Sequence, residues 1–539
     1  MNKTVLTGAS ILALSMAGAA FAQSAPTAPA APTSPPTTAP TPDCTGTSNN
    51  CSNVTQDGSD LYATVDQSGE GNTSDIDQIN GSVGDPTRDL GVVVTQSGTD
   101  NQSYVLQDNT GGANNPSQVT VLQDGTGADS IVIQFESSND KVDVRQTGDN
   151  TSLVYQDGAP FGSDSRVEID QFGGDLNTST VFQLNTNRSS VGSPGGPDNG
   201  VIQNGNRNDS EVYQGVSGAT GFNFLQAKVI QTGDDNNSFI SQSNSGSVNA
   251  NGGVFPNVTA AQVEQVGNFN ISSVVQTGAR GGQSFGNLNV GVLQDGDDNL
   301  SRIEQTNVSS INSQASIANV TQNQDGNDSF IQQSSGSGLI NVTQTSDDTS
   351  GMVSGTAVAN AISGGTDDVR ANFSRVIQSG TGRTEATLTQ TGLGNLSDIR
   401  QNAPGTVADL ASQATVTQNG EDQSSFIEQN GTNDIAFVDQ IGGARNVSRL
   451  QQLAGGVGNE ANIEQFGSDG ESTVEQSGTD NTANLLQAAM TDGNFSSIIQ
   501  SGSENTANVF QTSSDNSSFV NQSGTNSTAN VTQGPAPAL

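Results

Sequence analysis

The residues of this chain whose types and spacing could do chemistry are side-chain amides. A glutamine that follows an aliphatic residue two positions earlier recurs 36 times between Gln56 and Gln533, most often at the interval that separates Gln500, Gln511, Gln522 and Gln533. The fullest unit reads aliphatic-x-Gln-x-Gly-x-x-Asn-x-(Ala/Ser)-x-aliphatic-x-Gln. It runs with fewest interruptions through Gln465, Gln476, Asn481, Gln487, Gln500, Asn505, Gln511, Asn516, Gln522 and Gln533. An amide both donates and accepts, so identical amides stacked one above another satisfy each other as a ladder. That chemistry is structural, and these residues are the candidate ladder.

Other reactive groups point to less. The chain has no histidine, which excludes imidazole acid–base chemistry and His-ligated metal sites. The acidic turns at Gly233 to Asn236, Gly296 to Asn299 and Gly478 to Asn481 offer oxygen ligands that could hold calcium. They lack both the EF-hand pattern and the Gly-Gly-x-Gly-x-Asp spacing of calcium-binding β-rolls, so they read as solvated turns and no cofactor is expected. Carboxylates recur at turns throughout, and no stretch departs from the repeat to build a cleft; no enzyme is expected. The Asn-x-Ser/Thr triplets fall where the repeat itself places asparagine. Cys44 and Cys51 enclose a six-residue spacer that can close as a disulfide loop, read as a structural or end-capping bridge. Two free thiols or an intermolecular link are the alternatives.

The elements that would position the amides follow from the alternation. With period 2, Ala507, Val509 and Gln511 share one strand face while the residues between them point outward. The glycine two positions after each glutamine and the asparagine five after it supply a bend. One such unit is therefore a strand plus a turn, and two make a coil. No stripe of period 3.6 supports helix. The expected fold is all-β: a β-solenoid with two short strands per coil of about 22 residues, stacked as parallel in-register sheets. Eight long steps between Gln78 and Gln322 all fall on the same one of the two alternating steps, so these insertions should project from one edge of the coil. Pro86, Pro116, Pro160, Pro194, Pro197, Pro256 and Pro404 lie inside long steps, away from strands that need their donors. The 34-residue step from Gln344 to Gln378, an interruption near 345–377, either hides degenerate strands around Val358 and Val369 or loops out and divides the array.

Composition sets the limits. Only 31% of the 539 residues are hydrophobic and 4% aromatic, too few for a conventional core, and only the repeat makes order expected in place of disorder. The net charge of −39 repels nucleic acid and anionic lipid. Residues 1–22 read as a secretory signal peptide, with an apolar run through Ile11 to Leu14 and a small-residue exit at Ala20, Phe21 and Ala22. Residues 23–53 read as a Pro/Ala/Thr-rich linker with the cysteine pair, 54–533 as the repeat array and 534–539 as a tail. Export to the cell surface or exterior follows.

The Gln-x-Gly-x-x-Asn-x-Ala pattern, repeated in pairs along an exported chain without tryptophan, resembles the curlin repeat of bacterial curli fibre subunits. The resemblance spans about Val54 to Gln533. It implies a two-strand β-solenoid that self-associates into extracellular functional amyloid for adhesion and biofilm matrix. The implied partners are further copies of itself, a nucleating subunit, outer-membrane secretion machinery, and surfaces or matrix polymers. The chain departs from a typical subunit in its length, its insertions and the Pro/Ala/Thr linker that stands where the family has a Gly-rich leader. An open-ended solenoid exposes strand edges and can grow edge to edge. A monomeric secreted solenoid adhesin, with its ends capped by the cysteine loop and proline tail, is the alternative.

Overall fold

The computed structural model describes residues 50–59, 61–82, 91–108, 117–135, 140–158, 165–186, 190–191, 200–215, 224–243, 258–277, 290–306, 317–334, 337–346, 372–404, 411–488 and 492–534. These are all-β, with no helix among them, and the strands alternate in chain order between two parallel sheets, as a β-solenoid requires. Here the first sheet is the one that contains Cys51–Ser59 and the second the one that contains Ala63–Gln67. The forward edge carries the chain from first to second sheet, and the return edge carries it back.

The chain groups into two compact units. One comprises described residues 50–294 and 303–306. Its first sheet pairs Cys51–Ser59 with Thr73–Ser82, and that strand with Gln102–Asp108; its second pairs Ala63–Gln67 with Val92–Thr99. The other comprises 295–302 and 317–534. Its regularity is greatest where Glu471–Thr479 pairs with Phe495–Ser503 and then Ser517–Thr525, and Thr482–Gln487 pairs with Thr506–Gln511 and then Thr528–Gln533. In every one of these pairs the anchor glutamines align.

The alternation explains the core. Each rung turns three side chains inward: a small residue, one aliphatic and the glutamine. Ala507, Val509 and Gln511 are all fully buried. In the first sheet the aliphatic column is one residue wide, running through Ile76, Val105, Val132 and Val154 in one unit and Ile427, Leu450, Val474 and Ile498 in the other, whereas the second sheet also buries Val92 beside Val94 and Val119 beside Val121. Burying each such side chain contributes roughly 1.5–3 kcal/mol. The rest of the interior is polar, so hydrogen bonding must hold it.

The long steps between Gln78 and Gln322 all run from first-sheet to second-sheet strands, on the forward edge. One feature departs from the expected single-edged pattern. The chain leaves the second sheet after Ser190–Val191, which pairs with Arg166–Val167, and rejoins the same rung at Val201–Asn204, which pairs with Ile169–Phe172. That excursion starts in mid-strand. The step after Gln344 lies on the return edge. Asp328–Ser334 pairs directly with Phe373–Gly380, and Ser337–Ser346 with Arg383–Leu393, so no rung comes between them. Val358 and Val369 lie outside the described residues, as do the segments read as signal peptide and most of the linker. The first described strand begins at Cys51, inside the segment read as linker.

Candidate assembly surface

The glutamines form two columns, one per sheet, because the aligned register places each anchor over the next. In both units each Nε2 donates to the Oε1 of the following coil at 2.7 to 3.1 Å. Gln465 donates to Gln487 at 2.9 Å, Gln487 to Gln511 at 3.1 Å and Gln511 to Gln533 at 2.8 Å in the second sheet. Gln476 donates to Gln500 at 3.0 Å and Gln500 to Gln522 at 2.9 Å in the first. The same nitrogen also meets backbone carbonyls across the coil, for Gln476 those of Glu460 at 2.8 Å and Asn481 at 2.9 Å. Burial of these amides is tolerable because both ends of each are satisfied.

The asparagines run the other way. Asn505 Nδ2 donates to Asn481 Oδ1 of the preceding coil at 3.0 Å, and its backbone N–H meets the same oxygen at 3.2 Å. Asn481 repeats both contacts with Asn459. This column is on the forward edge, and buried Asp434 stands at its head with Oδ1 accepting from the Asn459 backbone at 3.0 Å. Asn516 does not join it: its backbone N–H donates to Asn494 Oδ1 at 2.9 Å on the return edge. A longer return-edge column links Asn150, Asn177, Asn208, Asn236 and Asn270 at 2.9 to 3.1 Å.

The acidic turns have a structural role in this arrangement. Asp234 Oδ1 accepts from the Asn206 backbone N–H at 2.7 Å, and Asp325 Oδ1 from that of Asp297 at 2.8 Å, each capping the turn of the preceding coil. Asp235 is held below the usual carboxylate range by the hydrogen bond from Arg207. Among the described residues no group of three or more acids or cysteines is arranged to hold a metal ion. Cys51 is disulfide-bonded; Cys44 lies outside the described residues.

Several residues escaped the sequence reading. Every first-sheet rung carries serine four positions before its glutamine, from Ser52 to Ser518, whereas described second-sheet rungs carry Ala, Val or Ile there. Ser130 with Ser152, Ser397 with Ser425 and Ser496 with Ser518 bond along that column at 2.9 to 3.1 Å. Outward on the second sheet, Asn484 donates to Asn508 at 2.9 Å and Asn508 to Asn530 at 2.8 Å.

The terminal coils show what the interior ones bury. Val54 is 44% exposed, whereas Ile76, its partner in the next rung, is fully buried. At the other end the strand Thr528–Gln533 has no buried residue, although Thr506–Gln511 beneath it buries Ala507, Val509 and Gln511. A model of the curlin associated repeat matches residues 47–79 and 502–534. The chain carries the curlin repeat. The two matched segments of this curlin-repeat protein contain these first and last described coils. No curated protein matches the chain. The curlin-repeat family is structural, not enzymatic, and its members are curli-like, self-assembling proteins of the cell exterior.

Proposed function

We propose that this curlin-repeat protein is an exported structural subunit that adds end to end into extracellular fibres for surface adhesion and biofilm matrix. The fit between its terminal coils carries the reading. Aligned on their anchors, Gln522 would sit against Gln56, Val520 against Val54 and Ser518 against Ser52 in the first sheet. In the second, Gln533 would meet Gln67, Val531 Val65 and Ala529 Ala63. Both coils keep the uninterrupted anchor step, from Gln56 to Gln67 and from Gln522 to Gln533, so no insertion obstructs either face. Residues 516–534 carry no charged side chain, which spares a chain of net charge −39 the repulsion that a docked second acidic coil would bring. Unpaired strand edges of this kind are templates for a further strand.

The ladder residues Gln511, Gln522 and Gln533 would then continue across each junction. Export through an outer-membrane secretion channel, nucleation by a second subunit, binding to matrix polymers and closure of the Cys44–Cys51 loop belong to the same proposal. Electron microscopy and fibre diffraction of the purified exported chain test it. Concentration-dependent fibres with a meridional spacing near ~4.8 Å are expected. A monodisperse monomer that persists for days at high concentration and moderate salt overturns it in favour of a solitary adhesin.

A further inference from the structure

On the outer face of the second sheet, three rungs of the first unit, Gln118–Thr126, Lys141–Thr147 and Arg166–Phe172, enclose a groove of about 310 Å³. Register sets its walls. Leu122, Arg145 and Asp170 follow one another across the rungs one position before the anchor glutamines, and Asp124 and Thr147 do so one position after them. Phe172 continues the second column past Gln171. Leu122, Asp124, Arg145, Thr147, Asp170 and Phe172 line the groove. Arg145 stands 3.7 Å from Asp170, with its side chain 59% exposed.

Phe172 sets the groove apart. Aromatic residues on the first sheet use their rings on one another: Phe135, Tyr155, Phe182, Tyr213 and Phe239 are linked in sequence at centroid distances of 4.9 to 6.0 Å. Phe172 has no such partner among the described residues and is 42% exposed, with Leu122 nearly as open. Neighbouring second-sheet positions in its column hold Ser97, Asp124, Thr147, Asn204 and Thr232, so neither packing nor the repeat asks for an aromatic there.

The geometry points to a binding site for a neutral pyranose unit of an extracellular polysaccharide. A pyranose offers an apolar C–H face and a rim of hydroxyls. The exposed ring of Phe172, with Leu122 also open, matches the first, and the Asp124 carboxylate, which already accepts from Ser97 through Oδ1, with the exposed Arg145 guanidinium supplies an acceptor and donors for hydroxyls. The groove is at the small end of the roughly 300–1,000 Å³ range of ligand sites, suited to one segment of a chain that continues beyond it. Charge argues against an acidic polymer: Asp124 and Asp170 flank the single arginine, and the whole chain is strongly acidic.

Titration calorimetry of the full chain with cellohexaose and laminarihexaose, and with polygalacturonate as the acidic competitor, tests the site. Saturable millimolar binding of at least one hexaose is expected. It should weaken at least tenfold in Phe172→Ala, weaken severalfold in Asp124→Asn, persist in Phe172→Tyr, and stay unchanged in Phe437→Ala, which removes an exposed ring from a second-sheet strand of the other unit. Fibre formation should be the same in all four variants, which separates this site from assembly. No saturable binding of either hexaose, equal binding by Phe172→Ala, or tighter binding of polygalacturonate overturns the inference.

Discussion

The two edges of the coil obey different rules although one chain builds both. On the return edge the step is the same from Gln96 to Gln107, from Gln203 to Gln214 and from Gln265 to Gln276; on the forward edge the steps from Gln183 to Gln203 and from Gln242 to Gln265 are far longer and differ from each other. The return edge carries the long asparagine column through Asn150, Asn177, Asn208, Asn236 and Asn270. The forward edge has its own asparagines at Asn459, Asn481 and Asn505, in the stretch where its long insertions have ceased. Each asparagine bonds to the coils beside it, so the turn that holds it stays short: Asn150, Asn177 and Asn208 follow Gln146, Gln171 and Gln203 by four, six and five positions. Without that column, extra chain leaves at little cost, because loop closure grows only logarithmically with length. The long return-edge insertion, after Gln344, follows Ser346 where most return-edge turns have glycine, and Asn372 brings the chain back into the column at 3.2 Å from Asn327.

The sharpest way to break this comparison is to exchange the rules. A six-residue Gly/Ser segment placed between Asp234 and Asp235 on the return edge separates Asn236 from both Asn208 and Asn270. Hydrogen exchange should then accelerate by orders of magnitude in the strands Asn237–Ser243 and Ile271–Thr277. The same segment placed within 244–257, on the forward edge, should alter exchange by less than about threefold, since doubling a loop costs only ~0.6 kcal/mol. Equal effects at the two places would refute the asparagine column as the determinant of turn length.

Much of this was legible in the residues before any fold was known. Gln511 could be paired with Gln533 because an amide satisfies its own kind, and the parity of the long steps placed the insertions on one edge. The serine column was equally available and went unread: Ser374 alone assigns Gln378 to the first sheet across the long interruption. What could not be read depends on which coils become neighbours. Phe182 stacks on Tyr213 at 4.9 Å from 31 positions away, and Asp328 lies beside Phe373, from a coil 45 residues on. The free ring of Phe172 and the mid-strand exit after Val191 are likewise consequences of register, which sequence spacing constrains only after the edges are assigned. The ends of the ladder were visible as regularity, but the separation of Asn516 from Asn481 and Asn505 required knowing which edge each occupies.

A smaller effect separates glycines on the regular part of the forward edge. Gly478 has φ +100°, and a Cβ there would stand 1.9 Å from the carbonyl oxygen of Gly502 in the next coil. Gly455 has φ +82° but open space around it. Gly478→Ala should therefore cost about 3 kcal/mol or more, because backbone must move as well as adopt a strained conformation, and Gly455→Ala about 1 kcal/mol. Local exchange free energies in the strands Glu471–Thr479 and Phe495–Ser503 measure the first, and those in Val447–Gln452 the second. Similar costs would mean that coil stacking does not clamp the turn.

The smallest effect concerns the head of the forward-edge column, where Asp434 occupies the place of an asparagine. Its Oδ1 accepts from Asn459, as Asn459 and Asn481 accept from their successors, but its Oδ2 has no hydrogen-bond partner. At the equivalent atom Asn459, Asn481 and Asn505 donate to the carbonyls of Gly478, Gly502 and Gly524 in the next coil. Burial, opposed by the hydrogen bonds from Asn459, raises the Asp434 carboxyl from 3.8 to about 6. A folded-state pKa above the unfolded value means that folding favours the protonated form. The cost of the buried carboxylate is therefore absent below about pH 4, grows as pH rises through about 6 and is complete above it. Asp434→Asn replaces the unpartnered oxygen with an N–H donor and removes the titration. It should add about 1–2 kcal/mol to the local stability of Ile435–Ala444 and Glu460–Gln465 at pH 7.5 and almost nothing at pH 4. Asp328, pushed to about 7 by burial, titrates in both proteins and cancels in the difference. A variant gain that is the same at both pH values would show that the column gains from the amide's shape alone, with the carboxylate's charge contributing nothing.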